Sequence, residues 1–286
     1  MPSEMLRGLA TLAYALQETG VGLSKFGRLY VDRNAGRSDP SGLEKRWASG
    51  KVVPTRTSFD RLERRLPGIK LMPVYSHPLF DVLLDQPQSN SRERAILHKL
   101  FSSREESSDL LHGLERADVR SDRIVRRGFW EMGQMEVLDL FTVILLLVRN
   151  LERLERPRDH VFLCHNVYDC FPYAASVTFL HPHRRLLAHC VDRVHQRSPI
   201  SYELCKIDWP LLFERATTIF QLRTSGAGHE QIRAYHEAEA LSAWSWTVLF
   251  DDAADRPDDV PPESLIEERW WSGSAMERAV QSAKPA

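Results

Sequence analysis

Apolar positions along most of the chain recur every three or four residues, which is the spacing of an amphipathic helix. Leucines follow this spacing in the first segment, SEMLRGLATLAYALQETG, where Ser3 is suited to cap the start of a helix and Gly20 to end it. Three shorter helical patterns follow, in LSKFGRLY, in DPSGLEKRWASG and in residues 57–66. The four patterns predict a compact helical bundle over residues 1–70.

The last helix of this bundle carries both a start signal and a stop signal. Thr57 and Asp60 have the spacing of a capping box, and Pro67 with Gly68 ends the pattern. The apolar side of the helix, including Phe59, is expected to pack inward.

Helical patterns also dominate the rest of the chain. A proline-rich segment at 71–91 is interpreted as a linker. Beyond it, helical periodicity predicts elements near 92–102, 105–116, 130–154, 184–196, 201–223, 228–249 and 263–281. We therefore predict an all-α protein with a helical domain at 92–250, followed by an acidic linker and a C-terminal helix at 251–286.

Two segments are less regular. HVFLCHNVYDCFPYAASVTFL at 160–180 fits either a short strand or a buried helix, because its aromatic and β-branched residues suit both. VLDLFTVILLLV at 137–148 is too short for the roughly 20 residues that cross a bilayer, so it is expected to be a buried core helix. No membrane association is expected.

Charge is divided unevenly along the 286 residues, although the total is only −1. Residues 1–70 hold 13 Lys/Arg and 7 Asp/Glu, a net +6, whereas residues 237–286 hold 4 and 11, a net −7. The basic N-terminal part favours an acidic partner, and the acidic C-terminal part is hypothesised to compete for the same surface. The N-terminal residues lack the pattern of a signal peptide, so a cytoplasmic location with reduced thiols is expected.

The stretch SGLEKRWASGKVVPT resembles the end of the recognition helix in Cro/repressor (Xre-like) helix-turn-helix domains. The resemblance covers residues 41–68 and rests on Trp47, Gly50, Lys51 and Pro54, which match an aromatic-x-x-Gly turn followed by a basic residue and a proline. It implies that the protein binds DNA through this N-terminal module, with Trp47 in the core.

The resemblance also implies which residues meet DNA. Ser41, Glu44 and Lys45 would face bases, and Lys51 with Arg56 would approach phosphates. Arg61 continues the basic side on the next helix. The ten residues VDRNAGRSDP precede this stretch, where the family has a turn of about three or four residues.

Two other interpretations of the basic residues stay open. In one, the face is recognised by an acidic protein partner or by the chain's own tail. In the other, it is an ordinary solvated helix surface that carries Arg61, Arg64 and Arg65.

Cysteine and histidine residues concentrate between 160 and 205, where all four cysteines lie: Cys164, Cys170, Cys190 and Cys205. None of their spacings matches a known zinc pair, so no metal or other cofactor is expected. Cys190 falls on the apolar stripe of its predicted helix. His189, Asp192 and His195 follow at steps of three and could form an Asp-oriented histidine pair or make ordinary exposed polar contacts.

These patterns favour a DNA-associated regulator or accessory factor of bacterial or mobile-element type, without enzymatic activity, whose helical domain binds a protein partner or a second copy. The first alternative is a protein-interaction component of a larger assembly that does not bind nucleic acid. The second is a hydrolytic enzyme with a His/Cys site at 165–195.

Overall fold

The structure is a computed structural model that describes residues 2–20, 22–23, 46–47, 51–66, 68–84, 91–92, 95–96, 100, 133–153, 157–196, 207–228, 230–232 and 234–235. Predicted helices that fall outside these ranges are LSKFGRLY beyond Leu23 and the segments at 105–116 and 263–281. Residues 201–206 of the predicted helix 201–223 and residues 236–249 of the predicted helix 228–249 also lie outside them, as do most of DPSGLEKRWASG and of 92–102.

All the regular elements in these ranges are helices, which confirms the all-α prediction. The helices are α1 (Pro2–Thr19), α2 (Arg56–Arg65), α3 (Met72–Tyr75), α4 (Pro78–Val82), α5 (Gln134–Arg153), α6 (Pro157–Ala175), α7 (Arg184–His195) and α8 (Trp209–Thr224), with a 3-10 turn at His181–His183. Within these ranges, no helix combines the length and apolar content needed to cross a membrane.

Helix α1 ends as predicted but begins one residue earlier than its expected cap. Gly20 has a φ of 60°, the left-handed conformation that glycine adopts without a steric penalty. Ser3 is already helical and buried, so it lies in the first turn and is not the cap. The leucine spacing, not the cap signal, therefore carried the correct prediction.

The largest group of buried apolar side chains, called the main core here, comes from α1 and α3 through α8. Helices α5 and α6 form its centre, and almost every side chain from Val137 to Val148 is buried, as expected for a core helix. The ambiguous segment at 160–180 is helical as far as Ala175, with Pro172 inside the helix. Its side chains are buried on several sides, so its sequence lacks the polar face that would have marked it as a helix.

A second cluster, called the head core here, consists of Leu12, Ala15, Trp47, Phe59, Leu62 and Leu71. Helix α1 contributes to both cores, since Leu6 and Ala10 lie in the main core. On a helical wheel these two pairs of residues point to nearly opposite sides. Helix α1 therefore joins the N-terminal part of the protein to its body.

Residues 71–84 of the predicted linker at 71–91 are folded. They form α3 and α4, and Phe80 is completely buried in the main core. Pro73 and Pro78 occupy first-turn positions, where a missing N–H costs nothing, so these prolines begin helices. The division of the whole chain into domains stays a prediction, because residues 101–132 lie outside the described residues.

The junction between α4 and α5 depends on a buried histidine. The Nδ1 atom of His77 accepts a hydrogen bond from the backbone N–H of Leu79 at 3.2 Å and so caps α4. Because Nδ1 is an acceptor, the proton lies on Nε2, which donates to Asp139 Oδ1 at 3.1 Å. One histidine ring thus fixes α4 against α5.

Gly8 provides a test of the packing between α1 and the segment before α2. A Cβ atom at this position would overlap Val53 Cγ1 and would lie 3.1 Å from Pro54 Cδ. Replacing a helical glycine with alanine normally stabilises a helix by about 1 kcal/mol, whereas overpacking costs about 1–3 kcal/mol. We expect Gly8→Ala to lower the free energy of unfolding, measured by urea denaturation, by about 1 kcal/mol.

The matched control is the same substitution in a Val53→Ala background, where the overlapping methyl group is absent. There Gly8→Ala should be neutral or stabilising. An equal loss in both backgrounds would show that crowding by Val53 is not the cause.

Candidate nucleic-acid interface

Helix α2 begins at Arg56 with Thr55 at the N-cap position. The Thr55 and Ser58 hydroxyl oxygens are 3.3 Å apart, and the Thr55 side chain makes no capping bond to a backbone N–H. Thr57, the predicted start of the capping box with Asp60, is the second helical residue, so that prediction was wrong. The error arose because a Thr-x-x-polar spacing occurs twice in succession here, and the earlier one lies at the helix start.

The inner side of α2 packs on the head core. Phe59 and Leu62 are completely buried, and the ring of Phe59 lies 5.3 Å from that of Tyr75. Trp47 is only 2% exposed, which confirms its predicted place in the core. Burial of these large side chains fixes which side of α2 faces solvent.

The outer side of α2 is basic. Arg56, Arg61 and Arg64 are exposed, and Lys51 is exposed in the segment before the helix. Arg61 and Arg64 are three residues apart and therefore neighbours on the helix surface. We call these four residues the basic face.

One acidic side chain of α2 is turned away from the basic face. Glu63 is half-buried, and its Oε1 atom accepts hydrogen bonds from the backbone N–H groups of Leu71 and Met72, the latter at 2.7 Å. The carboxylate therefore lies at the start of α3, where unpaired N–H groups favour negative charge. This bond fixes α2 to α3 and leaves the exposed arginines with less neighbouring negative charge.

The Arg64 side chain is also held in place. Its Nε atom donates to the backbone carbonyl of Asp60 at 3.2 Å. The bond uses the Nε atom of the guanidinium group. Arg64 was not among the predicted contact residues, although the helical spacing that identifies Arg61 could have identified it.

The structure describes only part of the predicted DNA contact set. Ser41, Glu44 and Lys45, the residues predicted to face bases, lie outside the described residues. Lys51, Arg56 and Arg61 are described and are exposed. The described part of the surface thus contains the predicted phosphate contacts, and the role of all six residues stays a prediction.

The cysteines of the 160–205 window that the structure describes are core residues. Cys164, Cys170 and Cys190 are each about 1% exposed, and burial raises the pKa of the Cys170 thiol, with the nearby Asp169 adding to the effect. Cys190 occupies the apolar stripe as predicted. Cys205 lies outside the described residues, as do the side chains of His160 and His165.

His189, Asp192 and His195 do not form one polar array. His189 is exposed, whereas His195 is buried, and its Nδ1 atom lies 2.6 Å from the hydroxyl of Tyr168. The Asp192 carboxylate accepts a hydrogen bond from the Gln196 side chain at 2.7 Å. Each step of three residues turns about 60° from the previous one, so the two histidines diverge around the helix.

The hypothesis of an Asp-oriented histidine pair was therefore wrong. Among the residues that the structure describes, no group of three or more His, Cys, Asp or Glu side chains is arranged to hold a metal ion.

The 3-10 turn before α7 contains two further histidines. The ring of His181 stacks on Phe220 of α8, with centroids 4.0 Å apart and planes within 4° of parallel, and its Nδ1 atom donates to the carbonyl of Ala175 at 3.2 Å. Burial lowers the pKa of His181, Arg184 lowers it further, and the Ala175 bond partly opposes both effects. This imidazole is therefore neutral at neutral pH.

The pKa of His183, which lies next to α1, is shifted in the same direction as that of His181. Burial lowers its pKa, while a hydrogen bond to the Leu9 carbonyl partly opposes the shift. The turn thus contacts α8 through the ring of His181 and α1 through the ring of His183.

In comparison with known proteins, no family model matches the chain, and neither a curated protein nor a solved structure shows significant similarity to it.

The two turn histidines predict a pH dependence of stability. Both have folded-state pKa values below the ordinary 6.5, so the unfolded chain binds more protons than the folded one as the pH falls below 6.5. Their contribution is fully present above pH 6.5 and is lost as the pH falls towards the lowered values. We expect the free energy of unfolding, measured in urea from about pH 7.5 to pH 5.5, to fall with pH.

His181→Gln and His183→Gln should each flatten this pH profile. His189→Gln, at the exposed histidine of α7, is the matched control and should leave the slope as in the unmodified protein. Identical slopes for all three variants would refute the assignment.

Proposed function

We propose that the protein is a DNA-associated regulator or accessory factor that binds phosphate groups through the basic face. The observation that supports this proposal is the exposure of Lys51, Arg56, Arg61 and Arg64 on one small helical unit whose apolar side is buried. Arginine suits this task because its planar guanidinium group donates two parallel hydrogen bonds to a phosphate.

The electrostatics of α2 support the same proposal. The helix contains four arginines and two carboxylates, and one of those carboxylates, Glu63, is bound to the start of α3. Nucleic acid binding gains free energy mainly through release of the counterions condensed on DNA, and each neutralised phosphate adds to this term. A face with several fixed cations therefore favours DNA with little dependence on its sequence.

Packing keeps the helix that carries three of these cations in place. Phe59 and Leu62 anchor α2 in the head core, and Glu63 fixes its far end to α3. A rigid helix loses less conformational entropy on binding than a loop with the same charge. The basic face is thus preorganised for contact with a phosphate backbone.

The salt dependence of DNA binding tests the proposal. The logarithm of the binding constant falls as the logarithm of the salt concentration rises, and each lost phosphate contact makes this negative slope shallower by about 0.9. We expect Arg61→Gln combined with Arg64→Gln to make this slope shallower by about 2. The double variant should also weaken binding to duplexes of unrelated sequence to the same extent. The measurement is fluorescence anisotropy of labelled duplex DNA between about 50 and 200 mM salt.

Arg185→Gln combined with Arg193→Gln is the matched control, since it removes two exposed arginines from α7 and causes the same change in net charge. The control should keep the slope of the unmodified protein. Equal slopes for both double variants would place the DNA contacts elsewhere. If the folded protein does not bind DNA even at about 50 mM salt, the protein-interaction alternative is favoured.

A further inference from the structure

Arg223 lies in the last turn of α8, a helix of the main core that is far along the chain from the basic face. Its two terminal guanidinium nitrogens, Nη1 and Nη2, are both buried, and within the described part of the chain neither has a hydrogen-bond partner. Two buried guanidinium nitrogens without acceptors are strongly unfavourable, because they have lost their water without gaining a hydrogen-bond partner. This arrangement points to a ligand that supplies acceptors.

The hydroxyl group of Tyr173 acts electrostatically on Arg223. Tyr173 of α6 is buried and lies within electrostatic range of the guanidinium group, which lowers the pKa of Tyr173, whereas the nearby Tyr235 raises it. Tyrosine hydroxyls and guanidinium nitrogens can all donate hydrogen bonds. A set of donors contributed by two packed helices and a third helical segment is typical of a site that binds an anion.

The pKa shifts agree with this geometry. Burial lowers the pKa of Arg223, and among the described residues Tyr173 is the titratable group that acts on it in the opposite direction. Asp169 lies one turn before Tyr173 and helps to raise the pKa of that tyrosine, but it does not contribute to the shift of Arg223. The guanidinium group therefore lacks a compensating carboxylate among the described residues.

We propose that Arg223 and Tyr173, together with Tyr235, form a binding site for an oxyanion, that is, a carboxylate or phosphate group with two acceptor oxygens in the plane of the guanidinium fork. Such a group would satisfy Nη1 and Nη2 together, since bidentate pairing matches the spacing of the two nitrogens. This site goes beyond the proposed DNA contact, because it lies on different helices and takes an isolated anionic group.

The anion can come from two sources. It can be a free anion, or it can be a carboxylate of the chain's own acidic segment at 251–263, which contains six Asp/Glu and one Arg. Both provide the same chemistry at the fork, so the experiment must separate them.

The first experiment compares thermal unfolding of the full chain in sodium phosphate and in sodium chloride at equal ionic strength. If a free anion fills the site, phosphate should raise the Tm of the unmodified protein by about 5 °C at about 100 times its Kd, and Arg223→Met should abolish this rise. In chloride, Arg223→Met should be at least as stable as the unmodified protein, because it removes a buried charge without a partner.

Two further variants separate the site from general charge effects. Arg185→Met removes an exposed arginine of α7 and should keep the full response to phosphate. Arg223→Lys keeps the charge but loses the planar fork, so it should retain only part of the response.

The second experiment replaces the six carboxylates of 251–263 with amides, both in the otherwise unmodified protein and in the Arg223→Met variant. If the chain supplies the anion, phosphate has little effect on Tm, and the amide replacement lowers Tm with Arg223 present but not after Arg223→Met. The proposal is overturned if the phosphate response is equal in the unmodified protein and Arg223→Met, or if neither experiment shows an effect that depends on Arg223.

Discussion

The two-sided packing of α1 is the constraint on which the rest of the structure depends. Leu6 and Ala10 pack in the main core, while Leu12 and Ala15 pack in the head core on nearly the opposite side. A helix buried on two sides cannot rotate without disrupting one of the cores, because close-packed side chains do not slide past one another freely. Helix α1 therefore sets the position of α2 relative to the body.

Helix α2 in turn illustrates how burial and charge act together. Phe59 and Leu62 hold it by their inner side, and the Glu63 carboxylate holds its C-terminal half to α3 through two backbone N–H groups. The same bond removes a negative charge from the outer surface. Glu63 thus both holds α2 in position and leaves the outer surface of the helix with less negative charge.

Periodicity predicted the helices well wherever one side of a helix is polar. The leucines of α1 and the apolar stripe of α7 folded as their spacing indicates, whereas α5 was predicted from the length of its apolar run. The 160–180 segment was ambiguous for the opposite reason, since a helix buried on several sides has no polar face to show its period. Signals that depend on one or two residues were less reliable, since Ser3 and Thr57, the predicted caps, both lie inside their helices.

The candidate site could be predicted only in part. The exposure of Lys51, Arg56 and Arg61 follows from helical spacing, and it agrees with their predicted role as phosphate contacts. Glu63 could not have been identified, because its bond to α3 depends on how the chain turns after Gly68. The divergence of His189 from His195 could have been anticipated, since six residues do not make a whole number of helical turns and the two positions lie about 120° apart around the helix.

The shared helix also affects how such a protein can change over evolutionary time. A module with its own closed core can be moved between genes by recombination, because both halves remain intact after the exchange. Here an exchange near residue 70 would separate Leu6 and Ala10 from the surface that covers them. The N-terminal helices and the body are therefore expected to accumulate compensating substitutions and to be inherited as one unit.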